Sequence, residues 1–351
     1  MAIYYLVFLL SFILCVLDYR SDDILKRSIY FVFCAILVIL PGLRGIGVDN
    51  DSSNYLDIFQ LSGNYTFKDI LTGNYWENIE RGYMILNKIV FVLGGTIKTV
   101  FFLIAMLTGI LNYSLFYKKN KFAFTSVLFY LAFFYLYRDF TQIRYGLSCA
   151  LGFWAINYLL KKKYLLFSLV VTVSFFIHST AILWVIILPI CFYVKNKMFY
   201  FILPFFCTIG LFFNPFPLLL SLGGVPEHMA IYLAEEGGGG FMVTVFGFVI
   251  MGIYILFQKY FIDLDEDNAF YFRVFALGVG LNLLFIQSAI FQRFTYLLFQ
   301  FGVLLLPSLL LALQKGKHRY NFVFLHFALA CFLLYYAFKL IAPGIIRPYS
   351  Y

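Results

Sequence analysis

Five arginines, Arg44, Arg81, Arg138, Arg144 and Arg293, sit at the borders of long apolar runs or inside them. The lysines are placed differently, in short turns between such runs: KKNK at 118–121, KKK at 161–163, KNK at 195–197 and KGKHR at 315–319. A guanidinium is a planar fork that grips a phosphate or carboxylate through two parallel hydrogen bonds, whereas an ammonium acts as a point charge. Arg144 lies one turn into the apolar run 141–160, and Arg293 stands in FQRF with no real loop on either side. A charge near the middle of a bilayer costs roughly 3 kcal/mol, and less near its edge. One such arginine can snorkel to the headgroups or pair with Asp139 or Glu80. Five on one side ask for an anionic partner.

Groups able to move a proton accompany them. Asp49, Asp51, Asp57, Asp69, Glu77, Glu80 and Asp139 fall on the same side as these arginines, with Glu227, Glu235 and Glu236 in a later loop. A carboxylate at a membrane edge can act as general base toward a sugar hydroxyl, and so can His178, which opens HSTAILW. His326 falls in the middle of an apolar run and reads as packing, and His228 is in a loop. Asp49-Asn50-Asp51 could hold a divalent ion through oxygen ligands. The plainer reading is a capped turn at Asp51 and Ser52, before the helix-like SSNYLDIFQ. No zinc motif, P-loop, Ser-His-Asp order or dinucleotide fingerprint occurs. Neither a metal nor a cofactor is expected. Tyr55, Phe59, Tyr65, Tyr75, Trp76 and Tyr83 offer flat faces of the kind that suit sugar rings.

The elements that must position these groups are membrane helices. Of 351 residues, 63% are hydrophobic and only 12% charged. A soluble domain keeps about a quarter of its residues charged. The net charge of +9 is dispersed in small clusters, which excludes a nucleic-acid stripe. The six cysteines all fall in apolar runs without a CxxC pair and read as small buried hydrophobes. About 20 apolar residues cross the hydrocarbon core. Candidate spans lie near 2–17, 28–43, 97–117, 122–137, 141–160, 164–178, 180–194, 198–213, 241–258, 270–290, 294–313 and 320–341. The first lacks a basic leader and a cleavage site, so it reads as a true span. The expected fold is all-α, a polytopic transmembrane helix bundle of about twelve spans forming one integral membrane domain over 1–351.

Placing every lysine turn in the cytoplasm is consistent with that list, and it puts both termini outside. Lys26, Arg27, Lys259 and the acidic turn LDEDN (264–268) then lie inside. The run 83–95 is too short to cross, and counting it would force KKNK outside, so it reads as re-entrant or interfacial. Two hydrophilic excursions, 44–82 and 214–240, remain on the outer side with the five arginines. If Arg273 sits at the inner border, Arg293 lies about 30 Å of helix away, at the outer one.

Five short elements then carry a resemblance. LRGIGVDNDSSNY (43–55), ERGY (80–83), QIRYGLSCAL (142–151), IHSTAI (177–182) and the RFTY around Arg293 resemble, in order, motifs of the EpsG family of bacterial polysaccharide proteins. The likeness departs from the common pattern at Val48, where Thr is frequent, and at Tyr145, where Gln often follows the arginine. It implies a Wzy-like polymerase of O-antigen, capsule or exopolysaccharide, similar to membrane glycosyltransferases of the GT-C type. Such an enzyme sits in the bacterial inner membrane with its active face outward. It transfers a growing glycan from undecaprenyl diphosphate to the non-reducing end of another lipid-linked repeat unit. The resemblance carries over Arg44, Asp49, Glu80, Arg144, His178 and Arg293. The expected partners are undecaprenyl-diphosphate-linked oligosaccharide, membrane lipids and a chain-length regulator, with no nucleic acid. From residue types together with the resemblance, Arg44, Arg81, Arg138, Arg144 and Arg293 are expected to bind diphosphate, and Asp49, Glu80 or His178 to supply the base. Three alternatives share much of this pattern. They are a transporter or flippase of lipid-linked oligosaccharide, a glycosyltransferase using a polyprenyl-phosphate sugar, and an acyltransferase with His178 or His326 as base.

Overall fold

The computed structural model describes residues 1–75, 79–222, 240–257, 266–314 and 319–351. Glu77 and Trp76, most of the 214–240 excursion with its histidine and three glutamates, and Lys259 lie outside the described residues, as does the start of LDEDN. Among the described residues the chain is all-helical, with one isolated bridge between Asp49 and Ile346. Five helical stretches are long and apolar enough to cross a bilayer: Ala2–Tyr19, Ile24–Gly42, Ile97–Lys119, Arg293–Gln314 and Phe322–Lys339. Shorter apolar helices cover Tyr164–Ile177, Ser179–Tyr193, Lys197–Leu211 and Phe241–Leu256. Large apolar side chains such as Leu6, Val16, Val32, Leu165, Leu169 and Phe212 face outward, as expected where the surrounding solvent is hydrocarbon.

The chain divides into two units. Unit 1 holds Met1–Val185 and Val323–Tyr351, and unit 2 holds Ile186–Phe322. Unit 1 opens with α1 (Ala2–Leu14) and α2 (Ile24–Gly42). The excursion that follows is no open loop. It folds as α3 (Ser52–Asn64) and α4 (Phe67–Thr72), followed by α5 (Arg81–Val92). At 12 residues, α5 is about 18 Å long, short of a hydrocarbon core. It buries Tyr83, Met84 and Val90 against Tyr55, Ile58 and Phe59 of α3 and the beginning of α6 (Ile97–Lys119). The short run 83–95 is thus largely this helix.

The chain returns through α7 (Ala123–Tyr130), which runs on as a π-helix over Leu131–Thr141. Gln142 closes it with an N–H bond to the Tyr137 carbonyl at 2.6 Å. The sequence placed a break near 138–140; the wider π turns carry the helix past Arg138 and Asp139, so the break falls at Gln142. Next come α8 (Ile143–Leu160) and α9 (Tyr164–Ile177). They are clamped where the Ser148 and Ser174 hydroxyls meet at 2.8 Å. After the 3-10 turn Ser179–Ala181, α10 (Ile182–Tyr193) begins. The last element of unit 1 is α17 (Arg319–Lys339) with the tail after it.

The two ends of unit 1 differ in chemistry. At one, the Tyr4 hydroxyl donates to the Arg347 carbonyl and the Tyr349 hydroxyl to the Leu40 carbonyl. This gathers the start of α1, the end of α2 and the tail. At the other, Lys26 reaches the Lys121 carbonyl, and Asp18 accepts from the Phe124 and Thr125 backbone.

Unit 2 contains α11 (Lys197–Phe206), α12 (Phe216–Ser221), α13 (Phe241–Leu256), α14 (Glu266–Leu284), α15 (Ala289–Phe299) and α16 (Gly302–Gln314). A break between helices was expected next to Arg293. It stands instead at 285–288, where the Gln287 amide donates to the Gly210 carbonyl and the Ser288 hydroxyl to Asn214. These polar anchors end α14 early and leave Arg293 inside α15.

Candidate functional site

Arg44 follows α2 directly and is fully buried. Its Nε donates to Asp49 Oδ2 at 2.7 Å, its Nη1 to the Pro41 carbonyl at 2.6 Å and its Nη2 to the Phe140 carbonyl at 2.5 Å. The Phe101 ring lies 4.0 Å beneath the guanidinium. Asp49 in turn accepts the Asp51 N–H through Oδ1 at 2.9 Å. Both side chains of the pair are shielded from solvent. The arrangement ties α2, the π-helix end and the start of α3 together. The turn before α3 exists as the sequence suggested, with different caps: Asp49 holds the Asp51 N–H, and the Ser52 hydroxyl accepts from Gly47 at 2.8 Å.

The tail closes over this turn. The Arg347 N–H donates to the Val48 carbonyl and the Gly45 N–H to the Ser350 carbonyl, both at 2.8 Å. The Asn50 amide donates to the Gly344 carbonyl at 2.7 Å, and the Arg347 guanidinium to the Gly47 carbonyl at 3.0 Å.

A second carboxylate–guanidinium pair is partly open. Glu80 is the residue before α5, and Arg144 lies in the first turn of α8. Arg144 Nη1 donates to Glu80 Oε2, while Glu80 Oε1 accepts the Ser179 N–H at 3.0 Å and its hydroxyl at 3.3 Å. The side chains are 21% and 18% exposed, so the pair meets solvent. Arg144 Nε is buried with no hydrogen-bond partner. Tyr83 and Tyr55 flank the guanidinium, with ring centres 5.4 and 5.9 Å away. Burial pushes the Tyr55 hydroxyl up to about 12, against the pull of Arg144, so both of its neighbours see a neutral phenol. The approach of α5 to α9 is close: a Cβ on Gly82 would stand 2.7 Å from the Phe176 carbonyl oxygen.

His178 joins the same end, between α9 and the turn Ser179–Ala181. Its ring packs edge-on against Tyr145 at 5.5 Å. Nδ1 accepts the Thr180 N–H at 3.3 Å and lies 2.9 Å from the Thr180 hydroxyl. A lone pair on Nδ1 fixes the neutral tautomer with its proton on Nε2. In that form Nδ1 is engaged by Thr180 and Nε2 carries the proton.

The remaining expected residues make other contacts. Arg138 is buried, its guanidinium 4.1 Å from the Phe134 ring and 5.1 Å from the Tyr145 ring. Neighbouring Asp139 accepts the Tyr130 hydroxyl at 2.8 Å. Arg81 is exposed and lies against Gly73, the left-handed residue that ends α4; a cation suits the end of a helix. Arg293 is exposed on α15 in unit 2. His326 is held from both ring nitrogens, by the Tyr19 hydroxyl at 2.7 Å and the Thr125 hydroxyl at 2.8 Å, and is 3% exposed. That environment removes it as an acyl-transfer base. Sequence reasoning missed Ser179 and the tail. A Ser after a helix-ending His was a signal for the first; the second had none beyond the polar RPYSY (347–351).

Among curated proteins the chain is similar to the amylovoran biosynthesis protein AmsC of Erwinia amylovora. The two are 26% identical over 307 residues, which is 80% of this chain and 79% of that protein. No solved structure matches. A family model spans residues 27–351, nearly the whole chain, and the protein is a member of the EpsG family.

Proposed function

We propose that the protein is a polysaccharide polymerase of the bacterial cytoplasmic membrane, crossing it twelve times with both termini and the Glu80–Arg144 pair on the outer face. Its donor substrate is a growing glycan on undecaprenyl diphosphate, and its acceptor the non-reducing end of a lipid-linked repeat unit. Family membership and a relative named for amylovoran biosynthesis support a role in polysaccharide assembly. The observation that carries the chemistry is the guanidinium of Arg144, half-open beside a carboxylate and holding a buried Nε–H without a partner.

In this reading the acceptor hydroxyl attacks the anomeric carbon as the bond from that carbon to the diphosphate oxygen breaks. Glu80 takes the hydroxyl proton. Arg144 stabilises the charge that collects on the departing undecaprenyl diphosphate, and His178 donates through Nε2–H. Arg44 and Asp49 serve differently: their charges are taken up by each other and by backbone carbonyls, so they brace the site. Deleting the gene in its native host and running the surface glycan on a gel tests the assignment. A ladder collapsed to one repeat is the expected result, and loss of all glycan would move the protein to an earlier step.

A further inference from the structure

At the lysine-rich end of unit 1, the turn from α1 to α2 and the end of α6 enclose a polar cavity of about 230 Å³. Its lining includes Lys26, Lys118, Lys119 and Lys121, with Asp22 as the one carboxylate. Asp22 is already engaged by the Tyr117 hydroxyl and by Arg27 at 3.4 Å, and the Tyr117 bond holds its carboxyl below the usual range. Lys26 is only 2% exposed. Two of its three N–H bonds go to the Arg20 and Lys121 carbonyls, both at a long 3.3 Å, and the third is left for the cavity. Four lysines thus line a space whose one carboxylate is occupied.

A second space of opposite character lies along the same two helices. Phe31 of α2 packs 5.4 Å from Tyr117, which lines the polar cavity. Phe31 also begins a groove of about 410 Å³ between α2 and α6, with an almost wholly apolar lining that includes Cys34, Ala35, Val38, Met106 and Ile110. Ser114, one turn before Tyr117, lines the groove as well. A cationic cup and a hydrocarbon groove lined by the same two helices together match an anionic amphiphile.

We propose that these two neighbouring cavities bind one anionic phospholipid, its phosphate among Lys26, Lys118 and Lys121 and one acyl chain along the α2–α6 groove. Basic pockets between membrane helices take such headgroups because the phosphate replaces water around several ammonium groups at once. A free phosphate would use the cup alone, and a neutral lipid the groove alone.

The test uses the full chain in phosphatidylcholine nanodiscs and measures retention of spin-labelled phosphatidylglycerol against spin-labelled phosphatidylcholine. The variant K118Q/K121Q changes two exposed lysines, and A35W fills the groove from its exposed side. Phosphatidylglycerol should be retained preferentially, and each variant should weaken that preference roughly tenfold. Inorganic phosphate should compete poorly. Equal retention of the two lipids overturns the proposal. So does retention that both variants leave unchanged. Loss in K118Q/K121Q alone, with ready displacement by inorganic phosphate, also overturns it and assigns the cup to a solute anion. The readout is binding, so it stands or falls separately from polymer formation.

Discussion

The carboxylate of Glu80 meets the guanidinium of Arg144 across 64 positions of sequence, and its other oxygen takes the backbone N–H of Ser179. One side chain therefore fixes the starts of three helical segments against each other. The same pair is open enough to meet a substrate, which separates it from the sealed Arg44–Asp49 pair of the same unit.

Replacing Arg144 with lysine keeps the charge and removes the fork. Loss of one positioned donor at a site of developing charge lowers turnover by about 10²–10³. The variant R144K should therefore yield short glycan chains at wild-type protein levels, read as a truncated ladder on a gel. A full-length ladder from R144K and from R144Q would remove Arg144 from the reaction.

Glu80→Gln and Asp49→Asn separate chemistry from support. E80Q retains an oxygen to accept from Ser179 and loses the ability to take a proton, so polymer formation should fall by about 10²–10⁴ while the thermal midpoint changes little. In D49N the buried Arg44 loses its counter-charge, and breaking such a pair costs about 3–5 kcal/mol. The thermal midpoint of the detergent-solubilised protein should drop clearly. Measuring both properties on both variants decides the assignment; a large stability loss in E80Q with a stable D49N would reverse it.

Gly82 tests whether the α5–α9 approach sets the site. An alanine methyl would meet the Phe176 carbonyl 2.7 Å away, closer than real contacts allow, and neither backbone can move without shifting Glu80 from Ser179. G82A should lower polymer length while α3 and α5 stay packed, as judged by protease resistance of 52–92. Gly94, whose added Cβ meets nothing within 4 Å, supplies the control position, although its positive φ makes G94A mildly strained.

Much of this arrangement was legible in the sequence, because membrane helices and their ends are written in hydropathy and charge. The breaks at Gly42 and His178 and the short α5 follow from where apolar runs stop. Arg144 and Glu80 stood out because a charge at the membrane edge needs a partner. Pairing with Glu80 stood beside pairing with Asp139 and snorkelling, and hydropathy carries no information across 64 residues that chooses among them. The burial of Arg44 and Arg138 was equally hidden: a guanidinium at an apolar border can face a ligand or a carbonyl, and only packing decides. The π turns that extend α7 past Asp139 left no mark, because FFYLYRDF is as compatible with one helical pitch as with another. The break before α15 was misplaced because its anchors, Gly210 and Asn214, are more than 70 positions away.

The tail gives the last prediction. Residues 344–350 contribute four hydrogen bonds to the turn 45–50, three of which involve tail backbone atoms. Arg347→Ala removes the side-chain bond to Gly47 alone, and a net loss of about 1 kcal/mol is expected. Deleting 344–351 removes all four bonds and uncovers the turn that presents Asp49 to Arg44. Because α3 begins directly after that turn and carries Tyr55 against Arg144, the effect should reach the open pair. The deletion should therefore make 44–52 accessible to protease and shorten the glycan ladder, while R347A does neither. A deletion variant with an intact ladder and a protected turn would show that the Arg44–Asp49 pair holds the turn without the tail.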